Sequence, residues 1–479
     1  MTTSVKNYIH CLIMAVFMIG SFFIPGQGTI TDYGMKVIGI FLGMMWGWLF
    51  LDLTFPSIAG LCVLAIAGYG TAQATFMAGI GSEVVLVVIL FTTFTAYITK
   101  TGLSNVIADW FLSRKIIKGR PYVFVTLFWI LTFVLGILVD IYPTIFILWP
   151  VLYSISTDLG YGKGDKFPSY MCFGVTFIGG VGATCKPFSM WGLTGYGVFE
   201  AATGMHIDYL QYTVYTGIVS IVVILIYALL VPKLISIDFT TFKEGQYQIK
   251  KVEFDMEKKI AGIFTIVLFI VLYLPSVLPE NWALTAVLKS QLGTVGCVAV
   301  LLCLLGMIQK KEGGAFVKID ELSHSGVPFN MVFMVSATIV IGGALKSEDT
   351  GIVAAITETL TPMLSHLSPI IFYLVLIVVY GLTTQFLHNA ALLTVFTPIA
   401  CTLAEAVGAN VIITFMCGMI MLSTALMTPA ASTRSGLVFS NDWIEKKQAY
   451  FFGAFTVVAT GIVFFVVGIP LGAVMFPGM

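Results

Sequence analysis

The chain has 479 residues, of which 58% are hydrophobic and only 10% are charged, and its formal net charge is zero. A soluble domain carries about a quarter charged residues, so the composition excludes a soluble globular protein. The balanced charge says nothing about partners, and no nucleic-acid partner is expected of a membrane protein. Because the apolar stretches are long and do not alternate, we predict an all-α polytopic protein that crosses the lipid bilayer many times.

Eleven apolar segments follow one another along the chain. The first lies within residues 1–32, and we interpret it as a retained helix, because the sequence that follows, Ile24-Pro25-Gly26-Gln27-Gly28, has no clear cleavage site. The predicted spans are residues 8–25, 34–49, 53–68, 84–99, 167–202, 212–231, 260–278, 292–308, 329–345, 411–439 and 450–476.

Two further apolar stretches, residues 122–156 and 369–403, have an unusual length. At 1.5 Å per residue they are too long for one span and short for two. We therefore predict that each is a re-entrant hairpin of two half-helices. The expected architecture is about 11 transmembrane helices plus two re-entrant hairpins.

The basic residues give this arrangement an orientation. If the N-terminus is cytoplasmic and each hairpin returns to the side it entered, most of the 24 Lys and Arg residues fall on the inside. Positive charge is retained on the cytoplasmic side of a membrane. The sequence therefore predicts a multi-pass protein of the cell membrane with its N-terminus in the cytoplasm and its C-terminus outside.

The polar segment 236–259, predicted to be a cytoplasmic linker, separates two halves that repeat (33–235 and 260–479). Thr101-Gly102-Leu103 after the fourth span resembles Thr350-Gly351-Ile352 after the ninth, and each precedes the polar centre of a hairpin by nearly the same spacing. The spans 167–202 and 411–439 are expected to be broken helices. Because the hairpins open to opposite sides, the repeats are inverted, an architecture that recurs in transporters.

Two charged residues lie deep in the first half. Asp140 is the only charged residue of its hairpin, which predicts a cation ligand, a proton carrier or a structural partner for Lys186. Lys186 follows a glycine-rich run and precedes Pro187, so a helix break there is expected to favour an anion. For Lys186, contact with an anion and pairing with Asp140 remain alternatives.

The second half offers different chemistry. Arg434 suits a carboxylate or another oxyanion, although an interfacial anchor is an equal alternative. Thr384 and Asn389 provide oxygens for a sodium site, and the Asn389 amide can donate to a substrate. His388 is either a proton relay or merely hydrogen-bonded. Another polar group, at the outer end of the fifth span, is interpreted as a solvated rim; it contains Glu200, His206 and Asp208.

At these residues the chain resembles the divalent anion/sodium symporter family of the wider ion transporter superfamily. The resemblance runs from the second span to the eleventh and rests on the order of several stretches, among them VDIYPTIFILWP, GGVGATCKP, TTQFLHNAALLTVFTPIA and TPAASTRSGLVFSNDWI. It implies eleven spans, two hairpins, a homodimer and an elevator movement of a transport domain past a scaffold. The implied substrates are di- or tricarboxylates or sulfate, usually carried with sodium.

The chain also departs from that family at both hairpin tips. The Ser-Asn-Thr triplets of the family are replaced by Asp140-Ile141-Tyr142 and His388-Asn389-Ala390. The hydroxyl residue four positions before each triplet is Thr384 in the second hairpin but Gly136 in the first. The resemblance therefore implies that the second sodium site survives in part, whereas the first retains only Asp140 as a substitute ligand.

We thus predict a secondary active transporter, not an enzyme, that couples small organic anions to Na⁺ or H⁺. The alternatives are a cation/proton antiporter and a sulfate transporter. No cofactor is expected apart from bound Na⁺. The anion is expected to contact Lys186, Pro187, Asn389, Ala390, Thr428, Pro429 and Arg434. The ion-coupling residues are expected to be Asp140, Thr384, His388 and Asn389, with Asp140, Thr384 and Asn389 as the Na⁺ ligands.

Overall fold

The fold is all-helical, as predicted. The computed structural model describes residues 3–112, 120–139, 141–239, 253–279, 282–309, 315–352, 354–355, 358–359, 367–386, 389–429 and 431–477. No β-strand forms within these ranges; they contain only two isolated bridges.

Six helices in the described part of the chain are long and apolar enough to cross a membrane. They are Lys6–Phe23, Glu83–Thr101, Pro121–Leu138, Tyr209–Leu234, Ala283–Met307 and Lys446–Met475. Several shorter helices are also apolar, including Thr54–Tyr69 and Val411–Leu422. These helices agree with the predicted all-α polytopic membrane protein. The number of spans, their orientation and the re-entry of the hairpins stay predictions.

The helices form two packing groups. The first, called here the flanking group, contains helices from the start of each half. Its longer helices are Thr3–Gly20, Asp32–Phe50, Thr54–Leu64, Glu83–Thr101, Met256–Val277, Gly293–Met307 and Phe329–Lys346. It also contains two short helices, Ala72–Ile80 and Ile319–Gly326, that hydropathy did not predict, because each is too short to span a bilayer. A third short helix, Leu103–Leu112, touches both groups and packs mainly on the arms of the first hairpin.

The second packing group, called here the hairpin group, contains the remaining helices of each half. From the first half come Pro121–Leu138, Ile141–Asp158, Lys166–Cys185, Met190–Thr203 and Tyr209–Leu234. From the second half come Pro369–Thr383, Asn389–Val407, Val411–Leu422, Thr433–Ser440 and Lys446–Val463, which continues to Met475. In both halves, the two arms of the hairpin pack on the helix that precedes the break.

Both halves contain an interrupted helix. In the first, Lys186 leaves the helical conformation, with φ −88° and ψ 113°. The next helix begins after Ser189, whose side chain accepts a hydrogen bond from the Gly192 amide at 3.0 Å. In the second, the helix ends at Leu422 and the next begins after Ser432, which caps it in the same way. Serine caps satisfy amides that a helix start leaves without partners.

Candidate functional site

The second helix break holds a buried arginine. Arg434 lies in the short helix Thr433–Ser440 and is only 7% exposed. Its Nη2 donates to the carbonyl oxygens of Leu422 and Ser423, each at 3.1 Å. These carbonyls end a helix, where acceptors lack helical partners and the dipole is negative, so a cation stabilises them. A substrate contact and an interfacial anchor both stay predictions for Arg434.

The same carbonyl of Leu422 connects this break to the second hairpin. Asn389 Nδ2 donates to Leu422 O at 3.2 Å, and Asn389 Oδ1 accepts from Thr384 Oγ1 at 2.9 Å. Both side chains are buried. The structure thus brings Thr384, Asn389 and Arg434 together around one helix end. Hydroxyl, amide and carbonyl oxygens at such an end suit sodium, and the guanidinium suits an anion.

Gln385 belongs to this cluster, and the sequence analysis missed it. Its side chain is fully buried. Nε2 donates to the carbonyls of Gly381 and Thr424 at 3.0 and 3.1 Å, and Oε1 accepts from the Met427 amide at 2.9 Å. Thr428 Oγ1 donates to the Gln385 carbonyl at 2.5 Å. Burying a glutamine in an apolar hairpin costs free energy unless its amide is hydrogen-bonded. The presence of Gln385 in this apolar stretch was therefore the sequence signal that could have identified it.

A small cavity, called here the Arg434 cavity, lies between the two breaks. Its volume of about 10 Å³ holds roughly one water-sized sphere. A Cβ atom on Gly180 would overlap Arg434 Nη1, so the guanidinium lies directly on the helix before the first break. The cavity is lined by Ile141, Gly180, Ala183, Thr184, Trp191, Asn389, Met419, Leu422 and Arg434. Residues from both halves therefore meet here, in a closed arrangement.

Lys186 is not among the described residues that line this cavity. It is 1% exposed, and its Nζ lies 5.4 Å from the centre of the Phe91 ring, over which a cation is attracted to the π face. Phe91 belongs to the flanking group, so Lys186 lies at the boundary between the two packing groups. Its contact with an anion stays a prediction. So does its pairing with Asp140, which lies outside the described residues.

The remaining predicted residues lie at both breaks and in the second hairpin. Thr428 is half-buried and bonds to Gln385, whereas Pro429 is exposed. Pro187 is buried at the first break. Ala390 belongs to the helix Asn389–Val407. His388 lies outside the described residues, so its role as a proton relay stays a prediction.

The first hairpin packs too closely for the hydroxyl that the family carries there. A Cβ atom on Gly136 would overlap the carbonyl oxygen of Gly179, and one on Gly182 would overlap that of Phe133. The backbones of the hairpin and of the helix before the break thus touch at Gly136, the position that corresponds to Thr384 in the second half. The absence of a hydroxyl at position 136 therefore matches a closed gap between the helices.

A larger open pocket of about 680 Å³ lies at the predicted rim. Glu83, His206 and Asp208 are among its lining residues. His206 Nδ1 and Glu200 Oε1 are 2.5 Å apart, with side chains 62% and 35% exposed. Their exposure agrees with a solvated rim. The hydrogen bond to Glu200 raises the pKa of His206 above its usual value.

This pair predicts a small dependence of stability on pH. Because the folded pKa of His206 is raised, its contribution is fully present below pH about 6.5 and is lost as pH rises through the raised value. Since both groups are partly exposed, we expect less than about 1 kcal/mol. Melting temperatures of the wild type and of Glu200→Gln should differ at acidic pH and converge at alkaline pH. A difference that is constant with pH would contradict this.

One family model matches almost the whole chain. It is described as the sodium:sulfate symporter transmembrane region, and it matches residues 5–476. The match includes both hairpins, both helix breaks and the residues around the Arg434 cavity. Comparison with curated proteins gives no match.

Two solved structures are similar to this chain in fold. The YdaH transporter of Alcanivorax borkumensis is 13% identical, with a TM-score of 0.57, and the match covers 85% of this chain and 88% of that one. MtrF of Neisseria gonorrhoeae, described with a class of antimetabolite efflux pumps, is 13% identical, with a TM-score of 0.61 and coverage of 96% and 94%. At this identity the likeness shows the fold alone.

Proposed function

This chain belongs to the sodium:sulfate symporter family and is a secondary transporter of anions, not an enzyme, and from this premise we propose that it carries small di- or tricarboxylates. The family resemblance inferred from the sequence is thereby confirmed. The proposal extends it to the substrate class, the coupling ion and the movement.

The observation that carries the proposal is the buried guanidinium of Arg434 beside Asn389. A guanidinium presents its N–H groups as a planar fork that matches a carboxylate. The Asn389 amide adds a neutral donor next to it. Because the Arg434 cavity holds only about one water-sized sphere, a carboxylate would enter after the lining residues separate.

Coupling to Na⁺ or H⁺ is proposed to occur next to this cavity. Thr384 and Asn389 supply side-chain oxygens that touch each other at 2.9 Å, and the Leu422 carbonyl lies within hydrogen-bond distance of Asn389. Oxygens at a half-helix C-terminus are typical sodium ligands in transporters. Protons remain the alternative coupling ion.

The division into two packing groups supports an elevator movement. The hairpin group contains every described residue of the proposed site, while the flanking group contacts it mainly through Met190–Thr203. A movement of the hairpin group as one body would carry the site past the flanking group. Lys186 would then leave Phe91. A homodimer, which the resemblance implies, is part of the same proposal.

Sulfate is the second candidate substrate, because the matching family model names it. Its tetrahedral oxygens would also suit Arg434 and Asn389. A cation/proton antiporter depends on Asp140 and His388, both outside the described residues, so no observation of the described site favours it.

The test is a thermal-stability screen of the purified protein with succinate, citrate, sulfate and phosphate, with NaCl or with choline chloride. Ligands that bind the folded state raise its melting temperature. A shift with a carboxylate that requires sodium is the expected result. A shift with sulfate alone would replace the carboxylate proposal. A sodium-dependent proton movement in proteoliposomes without any anion would replace it with antiport.

Gly180→Ala tests the placement of Arg434. A methyl group would overlap Nη1, and such overpacking costs about 1–3 kcal/mol, so uptake should fall at least about tenfold. Gly217→Ala is the control, since a Cβ there meets nothing within 4 Å. In an Arg434→Ala background, Gly180→Ala should no longer lower the melting temperature. An equal loss of stability in both backgrounds would show that the clash lies elsewhere.

A further inference from the structure

A second small cavity, called here the Thr460 cavity, lies behind the two helix breaks. Its volume is about 10 Å³. Its walls come from the helix before each break and from the helix that follows each broken helix. They consist of Val181, Thr184, Ser220, Val223, Ile420, Ser423 and Thr460. Four hydroxyl side chains thus border a space that is otherwise aliphatic.

Thr460 has no hydrogen-bond partner in the described part of the chain. Its side chain is buried, 1% exposed, and Oγ1 is completely covered. A threonine in a helix usually donates to a carbonyl of the preceding turn, as Thr456 does to Gly453 at 2.8 Å. A buried hydroxyl without a partner destabilises the fold, because it has lost its hydrogen bonds to water without replacing them. The orphaned oxygen therefore points to a ligand in the cavity.

Two of the other hydroxyls have their hydrogen engaged and can accept. Thr184 Oγ1 already donates to the Gly180 carbonyl at 3.0 Å, and Ser423 Oγ donates to the Ile420 carbonyl at 2.7 Å. Ser220 Oγ lies 3.1 Å from Cys185 Sγ. A hydroxyl whose hydrogen is engaged still offers oxygen lone pairs. A ligand that needs oxygen acceptors, such as a cation, fits such walls better than an anion.

The dipoles of the neighbouring helices also favour a cation in this cavity. The last turn of Lys166–Cys185 supplies Thr184, and the C-terminal end of Val411–Leu422 supplies Ile420 and Ser423. Two helix C-termini, each with a partial negative charge, therefore meet at this cavity, and the end at Leu422 also bonds to the Arg434 guanidinium. Half-helix C-termini hold coupling ions in other transporters. The volume admits one ion without its water shell.

We propose that the Thr460 cavity binds one dehydrated sodium ion through the hydroxyl oxygens of Thr184, Ser220, Ser423 and Thr460. The choice of sodium over other cations of this size rests on the proposed function. The site is separate from Thr384 and Asn389. Thr184 lines both this cavity and the Arg434 cavity, and the Ser423 carbonyl accepts from Arg434. An ion here would add positive charge one side chain away from the proposed anion.

The test is equilibrium binding of radioactive sodium to the purified full-length protein. Thr460→Val, which keeps the shape and removes the hydroxyl, should bind about one sodium ion fewer per chain than the wild type. Thr456→Val is the matched control and should bind the wild-type number, because the Thr456 hydroxyl is already bonded one turn away. Thr460→Ser, which keeps a hydroxyl, should also bind the wild-type number.

An unchanged sodium count in Thr460→Val would overturn the proposal. If the melting temperature of that variant is also lowered equally in sodium and in choline, the cavity holds only water. If Thr460→Val does not fold, Ser220→Ala takes its place with the same expected loss. A different result would contradict the proposed function. In that case no anion would raise the melting temperature of the wild type, whatever number of sodium ions it binds.

Discussion

Arg434→Met should reduce anion uptake by at least about 100-fold while the protein remains in the membrane. The side chain makes two charge-assisted hydrogen bonds to the carbonyls of Leu422 and Ser423, and each is worth about 1.5–3 kcal/mol. Methionine fills a similar volume but leaves both carbonyls and the proposed anion without a cation. A loss of about 3 kcal/mol corresponds to roughly two factors of ten.

The measurement is uptake of radiolabelled carboxylate into proteoliposomes, normalised to folded protein. Arg434→Lys should keep part of the activity, since it retains the charge but not the planar fork. Arg120→Met, at an exposed arginine, is the control and should transport normally. If Arg434→Met transports at the wild-type rate with an unchanged carboxylate-induced stabilisation, Arg434 is only a helix cap.

Gln385→Glu should make transport dependent on pH. In its protonated form the carboxyl group can still donate to Thr424 and accept from the Met427 amide, as the amide side chain does. When ionised, it has no hydrogen to donate and faces the carbonyls of Gly381 and Thr424. Uptake by this variant should therefore approach the wild-type value at acidic pH and fall at least about tenfold as the carboxyl group ionises.

Gln385→Met completes this test, because it leaves the same backbone groups without partners at every pH. Its uptake should be low throughout, and acid should not restore it. Gln211→Glu, at an exposed position in the first turn of Tyr209–Leu234, is the control and should follow the wild type. A pH profile of Gln385→Glu that coincides with the wild type would show that Gln385 does not position the hairpin tip.

Together these variants separate two roles at the second break. We propose that Arg434 supplies charge and that Gln385, which bonds to the loop after Leu422, is a positioning residue. The distinction is measurable because loss of charge should abolish the carboxylate-induced stabilisation. Loss of positioning should weaken the response to sodium as well, since Thr384 and Asn389 belong to the same hairpin tip.

Much of the site was predictable because polar residues are rare in apolar helices and costly there. Arg434, Asn389 and Thr384 were recognised in this way, and the structure brings them together. Gln385 has the same signal but was overlooked beside Thr384 and Asn389. Thr460 could not have been recognised, since threonine is common in membrane helices and usually bonds to its own backbone.

The sequence by itself determined the all-α membrane class, the family and the positions at which both helices break, because long apolar runs and glycine–proline breaks act locally along the chain. Only the tertiary structure decided which polar side chains share a space. Lys186 and Arg434 are both basic residues near a helix break, yet one lies over Phe91 and the other beside Asn389. The physical reason is that helix packing, set by close contacts such as Gly180 against Arg434, fixes where a side chain points.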